Sequence, residues 1–116
     1  MNMDQLIAKY ELLHQYFLRK FPHVRDEYQI LARLGKISEE LGELNSAVHG
    51  ELGLQRDDKQ ARHQRQDVEA EWADLFNTVM LFGIVMKIDM PKAIDQRLAD
   101  IHKRFEIKQE SETHES

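Results

Sequence analysis

Glu40 and Glu43, in Ser38-Glu39-Glu40-Leu41-Gly42-Glu43-Leu44, and Glu71 and Asp74, in Glu71-Trp72-Ala73-Asp74-Leu75-Phe76, are two carboxylate pairs with the same i, i+3 spacing. On an α-helix that spacing turns by about 60° and leaves Cβ atoms about 5–6 Å apart, so each pair can hold one side of a divalent cation. Each acid directly precedes an apolar residue: Leu41, Leu44, Trp72 or Leu75. The acids therefore flank the apolar stripes, whereas a soluble helix ordinarily keeps its charges on the outer face. First-turn acids favoured by the helix dipole account for one such residue, but not for two pairs at matching positions in two stripes. Four carboxylates meeting in a half-buried pocket need raised pKa values or a bound cation. Mg²⁺ suits them, since it prefers oxygen ligands and bridges carboxylates to phosphates, and Mn²⁺ can substitute.

The elements that must carry these acids are helices. Ile30, Leu34, Ile37, Leu41, Leu44 and Val48 recur at spacings of 4, 3, 4, 3 and 4, and Val68, Trp72, Leu75, Val79, Phe82 and Met86 repeat the same series. Both are stripes of helices that pack on one another. Trp72, on its stripe, is expected in the core. A first helix over 3–21 places Leu6, Leu13, Phe17 and Phe21 near one face and ends at Pro22. A fourth opens at Asp89 and Pro91 and carries Ile94, Leu98, Ile101 and Phe105. Gly50 to Gln66 is polar and aperiodic and reads as a flexible connection or lid between the acidic pairs. The expected organisation is a single all-α domain over 1–108, a four-helix bundle-like protomer, followed by a disordered polar tail over 109–116. Phe76, Met80, Ile84 and Val85 add apolar surface beyond the stripe, so a homodimer or homotetramer is expected.

Composition narrows the function. The chain has 116 residues, 32% of them charged, and a formal net charge of −5, which disfavours nucleic acid as a partner. No apolar run approaches the roughly 18 residues that span a membrane, and the N-terminus lacks the order of a signal peptide, so a cytoplasmic location is expected. The absence of cysteine excludes disulfides and thiolate metal sites. The six histidines are scattered with no i, i+3 or i, i+4 partner, against a zinc site. There is no glycine-rich phosphate loop, nucleophile elbow or dinucleotide fingerprint, which leaves phosphates to a metal and to cationic side chains such as Arg97, Lys103 and Arg104. Taken singly, those three read equally well as a solvated basic helix end. Tyr28 is free to stack on a base.

Glu40-Leu-Gly-Glu43-Leu followed after a gap by Glu71-Trp-Ala-Asp74-Leu resembles the Glu-x-x-Glu and Glu-x-x-Asp signature of the MazG-like, all-α nucleoside triphosphate pyrophosphohydrolases. Ile88-Asp89-Met90-Pro91, Arg97 and Arg104-Phe105 are also similar to that family, and the resemblance runs from Tyr28 to Phe105. It implies that Glu40, Glu43, Glu71 and Asp74 are the catalytic metal ligands for Mg²⁺. The implied reaction is metal-assisted hydrolysis of a (d)NTP between the α and β phosphates, giving monophosphate and pyrophosphate, as in nucleotide-pool housecleaning. Candidate substrate contacts are Asn77, Arg97, Arg104 and Tyr28. The last helix departs from the pattern at Ile101, where some relatives carry Asn. Two neighbouring activities of the same superfold, phosphoribosyl-ATP and dUTP hydrolysis, stand beside the general one. The rival class is a non-catalytic helical interaction protein whose acids are structural.

Overall fold

The computed structural model describes residues 1–53 and 65–108 and is all-helical, with no strand among the described residues. The expected tail over 109–116 and most of the expected connection, residues 54–64, lie outside the described residues. Four helices follow in order: α1 (Met3–Lys20), α2 (Asp26–Glu51), α3 (Arg65–Val85) and α4 (Met90–Arg104). Gly50 and Glu51 thus belong to α2, and Arg65 and Gln66 to α3, which shortens the expected connection at both ends.

Local chemistry sets the helix ends. Asn2 and Gln5 form a reciprocal capping box at the start of α1, each side chain accepting the other's backbone N–H at 2.9 Å. Phe21 closes that helix by donating its N–H to the Phe17 carbonyl, and Pro22 follows. After α3, Lys87 enters the left-handed region at φ 56°; its N–H reaches the Ile84 carbonyl and that of Ile88 the Gly83 carbonyl. This is a Schellman ending built on lysine where glycine is usual. Asp89 then caps α4 by accepting from the Lys92 N–H, with Pro91 in the first turn as the sequence predicts.

Packing centres on α3. α2 lies along it, and α1 crosses it through the buried Tyr10, which tilts against Phe76 and joins Met80, Leu81 and Met90 in one core cluster. The Arg65–Glu51 ion pair at one end of the α2–α3 contact, and the meeting of Glu40 with Glu71 and Asp74 farther along, make the two helices antiparallel.

Each stripe turns out to serve two surfaces. On α2, Ile30, Ile37 and Leu44 are half-buried while Leu34 and Leu41 are exposed; on α3, Val68, Leu75 and Phe82 are half-buried while Trp72, Val79 and Met86 are exposed. Inward and outward members alternate along α3 and along α2 as far as Leu44, after which Val48 is also half-buried. Trp72 is therefore corrected from core to surface: it is 58% exposed and stacks flat on Phe76. The α1 stripe is corrected in the same way, since Tyr10 is its buried residue and Leu13 and Phe21 are exposed. The stripe of α4, Ile94, Leu98, Ile101 and Phe105, lies exposed along its length, and the helix reaches the buried core through Met90. No helix among the described residues is long and apolar enough to cross a membrane.

Candidate metal centre

Glu40 follows the inward Ile37 by three residues and precedes Leu44 by four; Glu71 has the same offsets from Val68 and Leu75. With their inward stripes in contact, the antiparallel helices bring these acids face to face. One carboxylate oxygen from each of Glu40, Glu71 and Asp74 lies within 4.8 Å of the others. Glu40 is the most sheltered side chain for which α2 offers an ion pair, at 15% exposure, and Asp74 opens to solvent. Glu43 is exposed and stands outside this trio. Moving from Glu40 to Glu43 along α2 leads towards the start of α3 and away from Asp74. Glu43 still acts on the site, because its charge helps to raise the pKa of Glu71.

Glu71 is the electrostatic centre. Desolvation is the main cause of its raised pKa, followed by the charges of Asp74, Glu40, Glu43 and Asp67. A raised folded-state pKa means that Glu71 keeps its proton to higher pH than in the unfolded chain. The cost to stability is absent below the unfolded pKa and complete once pH has passed the folded one. In EDTA, Glu71→Gln is accordingly expected to raise the melting temperature at pH 7, with the gain vanishing near pH 4. A gain of equal size at both pH values would refute charge crowding at this residue.

Comparison with protein-family models, curated proteins and solved structures finds no significant match.

The other expected contacts are dispersed. Asn77 is half-buried one turn beyond Asp74, where its Oδ1 accepts a 2.5 Å hydrogen bond from the Tyr10 hydroxyl and ties α3 to α1. Arg97 pairs with Asp100 on its own helix at 3.3 Å, and Arg104 is exposed in the last turn of α4. Neither arginine forms an ion pair with the acidic cluster. Tyr28 is exposed beneath the Arg25 guanidinium, and its place on α2 is about 120° around the helix from Glu40. The cation at the cluster is instead Lys36, whose Nζ lies 3.5 Å from Glu40 and 3.2 Å from Glu39. Its signal in the sequence is a polar residue directly before five of the six α2 stripe residues: Gln29, Arg33, Lys36, Glu40 and Glu43 precede Ile30, Leu34, Ile37, Leu41 and Leu44. The acids are the lower half of a longer polar stripe.

Proposed function

We propose that this chain is a Mg²⁺-dependent nucleoside triphosphate pyrophosphohydrolase that hydrolyses a (d)NTP to the monophosphate and pyrophosphate. The observation that carries this reading is the convergence of Glu40, Glu71 and Asp74 from two helices, at the positions where the resemblance to MazG-like enzymes puts metal ligands. The donor set fits the ion. All three donors are carboxylate oxygens, and six-coordinate Mg²⁺ at about 2.1 Å holds neighbouring ligand oxygens about 3 Å apart and opposite ones about 4 Å apart, so small side-chain rotations close the trio around it. An ion held there would neutralise triphosphate charge and activate water for attack.

The chain's own residues do the rest. Glu40 would hold the ion from α2, and Glu71 and Asp74 from α3, so its place would depend on the packing of the two helices. Lys36 is placed to exchange its pairing with Glu40 for a phosphate oxygen. Without the ion, burial and then the charges of Asp74, Glu40, Glu43 and Asp67 raise the pKa of Glu71, and a bound cation would relieve that crowding. The functional unit in this reading is a homo-oligomer, supported by the exposed outward halves of the α2 and α3 stripes. Those same surfaces favour the second reading, a helical interaction protein without turnover. A panel of ribo- and deoxyribonucleoside triphosphates, with dUTP and phosphoribosyl-ATP, assayed with Mg²⁺ and with Mn²⁺, separates the two. Pyrophosphate is expected as the first product. Orthophosphate as first product, or no turnover of any substrate, would reject the hydrolase reading.

A further inference from the structure

The polar stripe of α2 continues beyond the acids into a cavity that the catalytic reading leaves unused. Between the end of α1 and the start of α2, Phe17, Phe21, Val24 and Ala32 wall an apolar cavity of about 290 Å³, rimmed by Arg33 and Lys36. Its size is near the lower end for small-molecule sites, ~300 Å³. Arg33 is half-buried, lies 4.3 Å from the centre of the Phe17 ring, and has no carboxylate partner among the described residues. A partly desolvated guanidinium facing an aromatic wall with no anion beside it suits an anionic ligand that has an apolar, planar end. Lys36 lines the same cavity and touches Glu40 of the acidic trio, so cavity and cluster are contiguous. Along α2 the order is apolar cavity, Arg33, Lys36, Glu40, with Arg33 and Glu40 about 10 Å apart along the axis. In a nucleotide the corresponding order is base, sugar, phosphates, metal.

We infer that this cavity is the nucleoside subsite, receiving the base between Phe17, Phe21 and Val24 while Arg33 binds the phosphate nearest the sugar. The assignment rests on the proposed nucleotide chemistry of the acidic cluster, but it does not require that cluster to hold a metal or to turn over. Arg33 is a binding residue here, and the apolar walls set which bases are accepted. Charge complementarity selects a nucleotide over an apolar peptide, because a peptide would leave Arg33 unanswered.

The test is an amide-resolved NMR titration of the full chain in EDTA with the four deoxyribonucleoside 5′-monophosphates, the matching nucleosides and inorganic phosphate. At least one monophosphate is expected to shift signals within 17–36 saturably, and to bind more tightly than its nucleoside or phosphate alone. Arg33→Gln should weaken it about tenfold or more, the loss of a charge-assisted hydrogen bond, and Arg33→Lys should recover part of that. Ala32→Trp, which fills the cavity, should abolish binding, and thermal melts should show all three variants folded. The titration contains no metal and measures no turnover, so failure of catalysis and failure of the subsite are read separately. The inference is overturned by shifts centred elsewhere, by equal affinity for phosphate and nucleotide, or by Arg33→Gln and Arg33→Lys binding like wild type. It is likewise overturned if Ala32→Trp changes the oligomeric state by light scattering and leaves nucleotide affinity intact, which would give the cavity to a second copy of the chain.

Discussion

Glu40→Gln, Glu71→Gln and Asp74→Asn will each remove most pyrophosphate release on the best triphosphate, by roughly 10²-fold or more, while leaving helical content intact. The three carboxylates share one centre, so a substitution that displaces the ion removes what the others contribute. A Glu40→Gln/Asp74→Asn double variant is expected to be about as inactive as either single variant. Glu43→Gln should lose less, because Glu43 stands outside the trio and acts on it through its charge. Steady-state rates with pyrophosphate-specific detection give the ranking. Near wild-type rates for Glu71→Gln and Asp74→Asn would remove the catalytic assignment in favour of the interaction-protein reading.

The second large effect concerns association. Among the described residues the buried apolar side chains are Tyr10, Ala47, Met80, Leu81 and Met90, and no large side chain is completely buried. Leu31, Leu34 and Leu41 of α2, with Trp72, Val79 and Met86 of α3, stand exposed beside that small core. Gly35 and Gly42 lie in the same part of α2 with open space above them, so a further helix can approach its backbone closely. A second copy of the chain over this face would bury the outward halves of both stripes. The expected result is a dimer or tetramer by light scattering, with a melting temperature that rises with protein concentration. Leu34→Glu/Leu41→Glu should yield monomers that melt far lower and with a broad transition, since it buries charge in the interface. A wild-type monomer at micromolar concentration with a sharp, concentration-independent melt would reject the arrangement.

Much of this was legible in the residues. The 4, 3 repeats identify α2 and α3, the Asp89 and Pro91 pair marks the start of α4, and the common offset of Glu40 and Glu71 from their stripes anticipates their meeting. Periodicity, however, reports that a face is apolar without saying what covers it. Trp72 and Leu41 satisfy the same repeat as Leu75 and Leu44 yet face outward, and the α4 stripe is regular but exposed. Equal offset likewise made Glu43 and Asp74 look equivalent. Antiparallel packing sends Glu43 and Asp74 to opposite sides of the facing Glu40 and Glu71, and it is Asp74 that the structure gathers with them. Lys36 and Arg33 were missed for a different reason: each directly precedes a stripe residue, as the acids do, but in a highly charged sequence that placement does not single out a cation until its neighbours are known.

The junction of α3 and α4 has a chemical side. A Cβ built on Gly83 would stand 2.7 Å from the Met90 sulfur, so the thioether lies directly against the bare backbone of α3, and Met90 is the residue by which α4 joins the core. Oxidation of that sulfur would add an oxygen and a dipole to a contact that has room and tolerance for neither. Met90 is only 7% exposed, so that oxidation would first require α4 to lift from the core, and the sulfoxide would then oppose its return. The narrow gap at Gly83 thus makes the docking of α4 depend on an unmodified thioether, which its burial shields as long as the helix stays docked.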